Sequence, residues 1–363
     1  MEKITMHTSK TYDILIEDGL LAFASEYIAR VLPPNAGKDG RKCCIVCDKT
    51  VFKLYGQPSQ PLQEGLSEAG YDLCCYTFKP GESSKTIDTV SDICQFLAEH
   101  HFGRRDFLIA LGGGICGDIT GFAASIFMRG ISFVQIPTTL LAMSDSSVGG
   151  KTGVNTSAGK NMVGTFWQPE LVLIDPKVLE SLDEGQLLNG LAEVVKAGFI
   201  SDETIFDTIS DGLADAAAKA IQVKKDIVEE DERESGCRRL LNFGHTIGHA
   251  IEKCSKYKVP HGYAVMTGMY LTALAADKMK WSSEPVAGLV KNVIDAFGYP
   301  VYTRYPASAL ARVAAGDKKR DADDITIVYP DRPGHCAMKT IPVDDLTAFI
   351  ACGLKEAKAA DPA

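Results

Sequence analysis

The run Phe107-Leu108-Ile109-Ala110-Leu111 passes without a break into Gly112-Gly113-Gly114-Ile115-Cys116-Gly117-Asp118, and few backbone paths accommodate that order. Apolar residues in succession read as a buried strand, consecutive glycines as a tight turn, and the segment after them as the opening of a helix. A turn of this kind lets the backbone approach a diphosphate, whose charge is favoured by free N–H groups at a helix N-terminus. The spacing Gly-x-Gly-x-x-Gly holds from Gly112 to Gly117, but no acidic residue follows about 20 positions later to take a ribose. That role falls instead to an acidic residue ending an earlier strand. Asp48, after Lys42 to Cys47, is placed for it and is equally suited to capping a turn; Glu82 and Lys85 are further candidates. Gly149-Gly150-Lys151-Thr152 ends like a phosphate-binding P-loop, yet Asp145 stands where that motif needs glycine, which argues against an ATP site.

Other short apolar runs, Lys42 to Asp48, Leu73 to Phe78, Phe133 to Ile136 and Leu171 to Ile174, alternate with helical patterns up to about residue 175. That alternation predicts an α/β layout with a largely parallel sheet. Turn-forming stretches at Pro33 to Gly37 and Lys79 to Ser84 put loops at strand ends, where ligands of such folds bind. Beyond Ser181 the segments Glu184 to Ile200, Asp211 to Glu232 and Val286 to Ala296 carry helical periodicity, so the second half is predicted mainly helical. Ile325 to Tyr329 reads as one late strand and Lys355 to Ala363 as a frayed polar tail. A chain of 363 residues is long for a single core, so two domains are expected.

With 38 basic against 47 acidic side chains the net charge is −9, which disfavours a nucleic-acid partner and means that an anionic substrate needs a local basic pocket. No apolar stretch approaches the roughly 18 residues of a membrane helix, and Met1 to Lys10 is too polar for a signal peptide; a cytoplasmic protein without a membrane partner is expected. The eleven cysteines are an odd number lying mostly in apolar runs and read as reduced. Cys44 and Cys47 have redox spacing, but within a strand they fit a core role.

In Asn242-Phe243-Gly244-His245-Thr246-Ile247-Gly248-His249 the two histidines are four apart, on one face of a helix. Neutral imidazole ligates divalent metals, and a catalytic site needs a third protein ligand with one position left open. His261 offers that ligand, and so does Glu193, a helical turn before Lys196. A lone histidine would be read as packing, but His245, His249 and His261 fall close together in a chain with only 7 histidines. Arg238 lies one helical turn before Asn242, on the approach to the same face, and its guanidinium suits carboxylate or phosphate oxygens.

These motifs, together with Pro137-Thr138-Thr139-Leu140-Leu141, Asp145 to Lys151, Gly159-Lys160-Asn161-Met162, Gly190 to Lys196 and Asp317-Lys318-Lys319, resemble the 3-dehydroquinate synthase family in the expected order from about Asp48 to Lys319. The resemblance implies a Rossmann-like NAD-binding domain over 1–177, a mainly helical metal- and substrate-binding domain over 178–363, an active site between them, and a homodimer. It implies that Glu193, His245 and His261 hold zinc or cobalt while His249 faces substrate, so the two helical histidines divide their roles. By the same resemblance the NAD positions are Asp48, Glu82, Lys85, Gly113, Gly114, Asp118, Thr138, Thr139 and Lys160, with Ser181 near the nicotinamide. The substrate positions are Asp145, Lys151, Asn161, Lys196, Lys224, Arg238, Asn242, His249 and Lys318, with Arg129 reaching the phosphate from the partner subunit.

The implied reaction takes 3-deoxy-D-arabino-heptulosonate 7-phosphate to 3-dehydroquinate and phosphate: transient oxidation by NAD, elimination, return of the hydride, ring opening and aldol closure. One departure stands out. Where the family continues its third histidine as His-Gly-Glu-Ala-Val, Tyr263 replaces the glutamate; a carboxylate can orient a metal ligand, so the expected outcome is either an altered metal affinity or another group in its place, with the ligand His261 itself intact. The alternative readings are a paralogous sugar-phosphate cyclase, which would differ at substrate positions that match here, and a metal-dependent polyol or glycerol dehydrogenase.

Overall fold

The computed structural model describes residues 1–34, 40–157, 159–301, 303–316 and 323–360, which divide into two compact units, Met1–Asp183 and Glu184–Ala363. The expected loop at Asn35 to Gly37 and the cations Lys318 and Lys319 lie outside the described residues.

The strands of the first unit are, in chain order, β1 (Glu2–His7), β2 (Thr11–Ile16), β3 (Lys42–Asp48), β4 (Asp72–Phe78), β5 (Phe107–Gly112), β6 (Ser132–Pro137), β7 (Lys151–Val154), β8 (Val163–Phe166) and β9 (Leu171–Ile174). Seven form one sheet in the order β1-β2-β9-β6-β5-β3-β4. All of its pairings are parallel except the antiparallel β1–β2 hairpin at one edge. Every residue of β5 is buried, as a central parallel strand covered on both faces requires. Apolar clusters cover both faces: Cys43, Ile45, Phe107 and Ile109 belong to one, Cys44, Val46, Leu108 and Ala110 to the other. The strand order reverses between β3 and β5, because the chain adds β4 on one side of β3 and then returns to lay β5 on the other. Ligands of open α/β sheets bind beyond the carboxyl ends of strands at such a reversal. Asp48 closes β3 and Gly112 closes β5 at this point.

The P-loop-like sequence forms something else. Lys151 opens β7, which pairs antiparallel with β8, so no helix N-terminus follows Gly149-Gly150-Lys151-Thr152. Cys43, Cys44 and Cys47 are buried within β3, and all eleven cysteines are free thiols.

Among its described residues the second unit is mainly helical, as its periodicity predicts, with one antiparallel hairpin, β10 (Asp324–Arg332) and β11 (His335–Pro342). Only the first of these strands carries the apolar run read from the sequence. Helix His261–Lys278 is buried on nearly every side, since helices Glu184–Ile200, His245–Cys254, Ala287–Phe297 and Leu346–Ala360 pack around it. The last helix corrects the frayed-tail reading for residues 355–360. Leu346, Phe349, Ile350 and Gly353 hold it against the central helix, and its polar end continues the same helix. Among the described residues no helix is long and apolar enough to cross a membrane.

Candidate functional site

In the second unit the helices bring acid and imidazole together. Glu193 and Lys196 sit one turn apart on helix Glu184–Ile200 and form an ion pair; both are buried. Glu193 Oε1 lies 3.0 Å from His261 Nε2 and 3.5 Å from His245 Nε2. One ligand atom from each of Glu193, His245 and His261 falls within 4.8 Å of the other two. His245 opens helix His245–Cys254 and His261 opens helix His261–Lys278, so both rings stand at helix N-termini that converge on Glu193. Gly262 makes the approach possible: a Cβ there would stand 2.2 Å from the Asn189 carbonyl oxygen, and the Gly262 N–H donates to Asn189 Oδ1 at 2.7 Å.

The electrostatics of this trio follow from burial and proximity. Burial pushes the Glu193 carboxyl up, but Lys196, His245 and His261 outweigh it and hold it well below the usual carboxylate range. Burial, with Lys196 adding to it, lowers the His245 imidazole to about 3, so that ring is neutral. At His261 burial is overcome by hydrogen bonds to Glu193 and Glu252, which raise the imidazole to about 10. The donor set fits a divalent cation: one carboxylate and two imidazoles. His245 Nδ1 is 3.0 Å from the Phe243 carbonyl, which leaves its Nε2 lone pair toward Glu193.

His249 is different. Its side chain is 50% exposed, its Nε2 lies 3.9 Å from Glu252 Oε2, and it takes no part in the Glu193 trio. The sequence gives both helical histidines one face; the structure separates them, with His245 at Glu193 and His249 at the accessible edge. Glu252, only 2% exposed, is a residue the histidine spacing does not single out. Its position seven after His245 and three after His249 places it on their helical face, and that periodicity is the available signal.

Three cations of this unit, Lys196, Lys224 and Arg238, are buried at 3%, 8% and 1% exposure. Charged groups are seldom buried without a charge or ligand to meet. Lys224 lies on helix Leu213–Glu230, which packs with helix Glu184–Ile200 and with the turn Cys237–Asn242 that carries Arg238 and Asn242. The loop before that turn is built by Asp231, whose carboxylate accepts backbone N–H groups from Ser235, Gly236 and Arg238. Arg238 donates through Nη1 to the Glu232 carbonyl, and Asn242 donates to Glu234 at 2.9 Å. Asp231 and Glu234 have no local signature in the sequence; only the folded loop reveals them.

In the first unit Gly113 is the N-cap of helix Gly114–Ile126 and, as glycine, brings no capping side chain of its own. A Cβ on Gly113 would stand 3.1 Å from Thr139 Cγ2, and one on Gly114 would stand 2.8 Å from Ser146 Oγ. The missing side chains therefore leave a bare backbone cradle at the end of β5, which suits a diphosphate. Asp118, one turn into that helix, is ion-paired to the buried Lys85. Thr138 and Thr139 follow β6, and the Thr138 N–H donates to the Gly112 carbonyl at 3.0 Å. Asp48 accepts N–H bonds from Thr50 and Val51. It is a helix cap, and it stands at the strand-order reversal as well.

Lys160 lies 3.5 Å from Glu82, and Asn155 donates to Glu82 at 2.7 Å while its own Oδ1 accepts the Asn161 N–H at 3.0 Å. Asn155, absent from the motif reading, thus connects two NAD candidates to a substrate candidate. Asp145 lies in a one-turn π-helix, Ala142–Ser146. Lys151 is exposed at the start of β7, and Ser181 is exposed with its hydroxyl donating to the Val178 carbonyl. Arg129 is exposed with φ 68, beside Met128 with φ 50 and Gly130 with φ 122.

The chain matches the family model for the 3-dehydroquinate synthase N-terminal region over residues 75–189 and for the C-terminal region over residues 190–320. It is 41% identical over 354 residues to the 3-dehydroquinate synthase of Streptococcus sanguinis (strain SK36), covering 93% of this chain and 96% of that protein. Among solved structures it resembles 2-epi-5-epi-valiolone synthase from Streptomyces hygroscopicus subsp. jinggangensis 5008 with NAD+ and Zn2+ bound, with TM-score 0.83, 27% identity and coverage of 97% and 99%. It also shares the fold of 2-deoxy-scyllo-inosose synthase complexed with carbaglucose-6-phosphate, NAD+ and Co2+, with TM-score 0.84, 23% identity and coverage of 96% and 99%.

Proposed function

The chain belongs to the 3-dehydroquinate synthase family, and from that premise we propose how its side chains divide the conversion of 3-deoxy-D-arabino-heptulosonate 7-phosphate to 3-dehydroquinate and phosphate. The enzyme is a phosphate lyase of aromatic amino-acid biosynthesis that uses NAD and one divalent metal. The observation that carries the assignment of roles is the convergence of Glu193, His245 and His261 on one point.

Those three would hold zinc or cobalt, with substrate hydroxyls completing the site. Gly113 and Gly114 receive the NAD diphosphate and Asp48 the ribose; Glu82, Lys85, Asp118, Thr138, Thr139, Lys160 and Ser181 complete that site. When bound, the metal supplies Lewis-acid polarisation and NAD a reversible hydride acceptor. Lys224 and Arg238 fix the substrate carboxylate, with Asn242 on the same turn as Arg238; buried guanidinium and ammonium groups suit that task, and by family resemblance Lys318 also contacts substrate. Asp145, Lys196 and His249 position hydroxyls and move protons, His249 being accessible and able to give and take a proton near neutrality. Lys151, Asn161 and an Arg129 from a second copy of the chain hold the phosphate oxygens as the phosphate leaves, acting as its own base. Holding the opened intermediate in one conformation favours aldol closure.

A homodimer is supported by the exposed apolar residues Ile126, Met128 and Phe166 near Arg129. Thr165 donates to Ser125, so the end of β8 lies beside the end of helix Gly114–Ile126. Eleven free thiols fit the reducing cytoplasm. Arg238→Gln tests the assignment: it removes a charge-assisted contact of about 1.5–3 kcal/mol and should lower kcat/KM roughly 10- to 150-fold with metal content unchanged. An unaltered kcat/KM would remove Arg238 from the carboxylate site.

A further inference from the structure

We propose that Glu252 is the positioning residue that fixes the orientation and tautomer of His261 and supplies the outer carboxylate of the metal centre. The proposal rests on the reading of His261 as a metal ligand. The His261 ring is held at both nitrogens: Nε2 is 3.0 Å from Glu193 Oε1 and Nδ1 is 3.2 Å from Glu252 Oε2. A ring nitrogen ligates through its lone pair, so the proton of a ligating imidazole has to sit on the other nitrogen. Glu252 accepts that proton, which leaves Nε2 as the ligating atom and makes the ring a stronger donor. His245 is prepared in the same way by the neutral Phe243 carbonyl. The two imidazoles therefore receive support of different strength.

Three further observations converge on Glu252. It is buried at 2% exposure, where a carboxylate is costly unless polar groups meet it. It belongs to the same helix as His245, so one rigid element carries a ligand and the support of a second ligand. The oxygen that meets His261 is also 3.9 Å from His249 Nε2, which places Glu252 between the metal position and the accessible histidine. Residue 263 cannot do this work. It lies two positions after His261 on one helix, and residues so spaced do not face each other. Tyr263 accordingly packs edge-on against Tyr299, ring centroids 5.7 Å apart. The departure from His-Gly-Glu-Ala-Val thus leaves the support of His261 intact.

The test compares Glu252→Gln, Glu252→Ala, Tyr263→Phe and His261→Ala, each stripped of metal and titrated with zinc and with cobalt. Glu252→Ala should weaken binding by about 10- to 100-fold and change the visible absorption of the cobalt-loaded protein. Glu252→Gln keeps an acceptor without the charge and should fall between alanine and wild type. Tyr263→Phe should bind within about threefold of wild type, well short of the loss produced by removing an outer ligand. Melting of the metal-free proteins separates folding from binding. If Glu252→Ala lowers the melting temperature but the folded protein keeps wild-type affinity and cobalt spectrum, Glu252 is only structural and the proposal fails. If His261→Ala also binds metal normally, the ligand reading itself fails, a distinct result.

Discussion

Gly268→Ala probes the packing that assembles the proposed metal centre. Helix His261–Lys278 crosses helix His245–Cys254 almost backbone to backbone: a Cβ on Gly268 would stand 2.0 Å from the Gly244 carbonyl oxygen and 2.9 Å from the Gly248 nitrogen. A carbon–oxygen contact between packed helices needs roughly 3.3 Å, so the substitution would drive them about 1.3 Å apart. Metal–ligand distances tolerate only about 0.2 Å, and His245 and His261 are on opposite sides of this crossing. Overpacking of this kind costs about 1–3 kcal/mol, which for a unit of this size lowers Tm by roughly 2–12 °C. Zinc affinity should fall about tenfold or more, as when a metal ligand loses its support. Gly288→Ala is the control. Its Cβ meets nothing within 4 Å, so the same change should leave Tm unchanged or raise it. Thermal melting of the metal-free protein and zinc titration provide the readouts. A Gly268→Ala protein that melts and binds zinc like wild type would show that close approach of the helices does not set the site.

Two other perturbations address single features. The Asp231 carboxyl is opposed by burial but lowered to about 2 by backbone N–H groups of Gly236, Ser235 and Arg238, against an ordinary value of 3.8. A carboxyl lowered on folding stabilises above its unfolded value and loses that effect as pH falls through the folded one. Asp231→Asn should therefore melt below wild type at neutral pH, with the gap closing as pH falls from about 4 toward 2; a constant gap would contradict the charge-based account. Gly113→Ala adds a Cβ 3.1 Å from Thr139 Cγ2 at the cradle. It should raise the NAD dissociation constant by about tenfold, the equivalent of 1.4 kcal/mol, with zinc affinity unchanged, and unaltered NAD binding measured calorimetrically would exclude that turn.

The parallel strands were legible because burial on both faces leaves continuous apolar runs, as in Lys42–Asp48 and Phe107–Gly112. The edge hairpin was not. β1 and β2 carry polar side chains such as Thr5 and Asp13, hydrogen-bonded to each other, and resemble an unstructured polar N-terminus. β11 exposes Lys339 and Thr340 and depends on its partner β10 for register. The frayed-tail reading at Lys355 relied on polarity alone, whereas Phe349 and Ile350 upstream anchor the helix that continues through it. Within the site, histidines and glycines announce themselves because few structural roles need them so spaced. Glu252, Asn155 and Glu234 do not, since an isolated acid or amide gains meaning only from a contact made on folding.

A closed redox cycle, in which NAD is reduced and reoxidised within each turnover, is tested most directly by product stoichiometry. The purified protein, loaded with zinc or cobalt, is given 3-deoxy-D-arabino-heptulosonate 7-phosphate and NAD far below the substrate concentration. Phosphate, 3-dehydroquinate and NADH absorbance are followed together. Phosphate and 3-dehydroquinate should appear in equal amounts, many times the NAD supplied, without accumulation of NADH. NADH formed mole for mole with product, or phosphate released without 3-dehydroquinate, would contradict it.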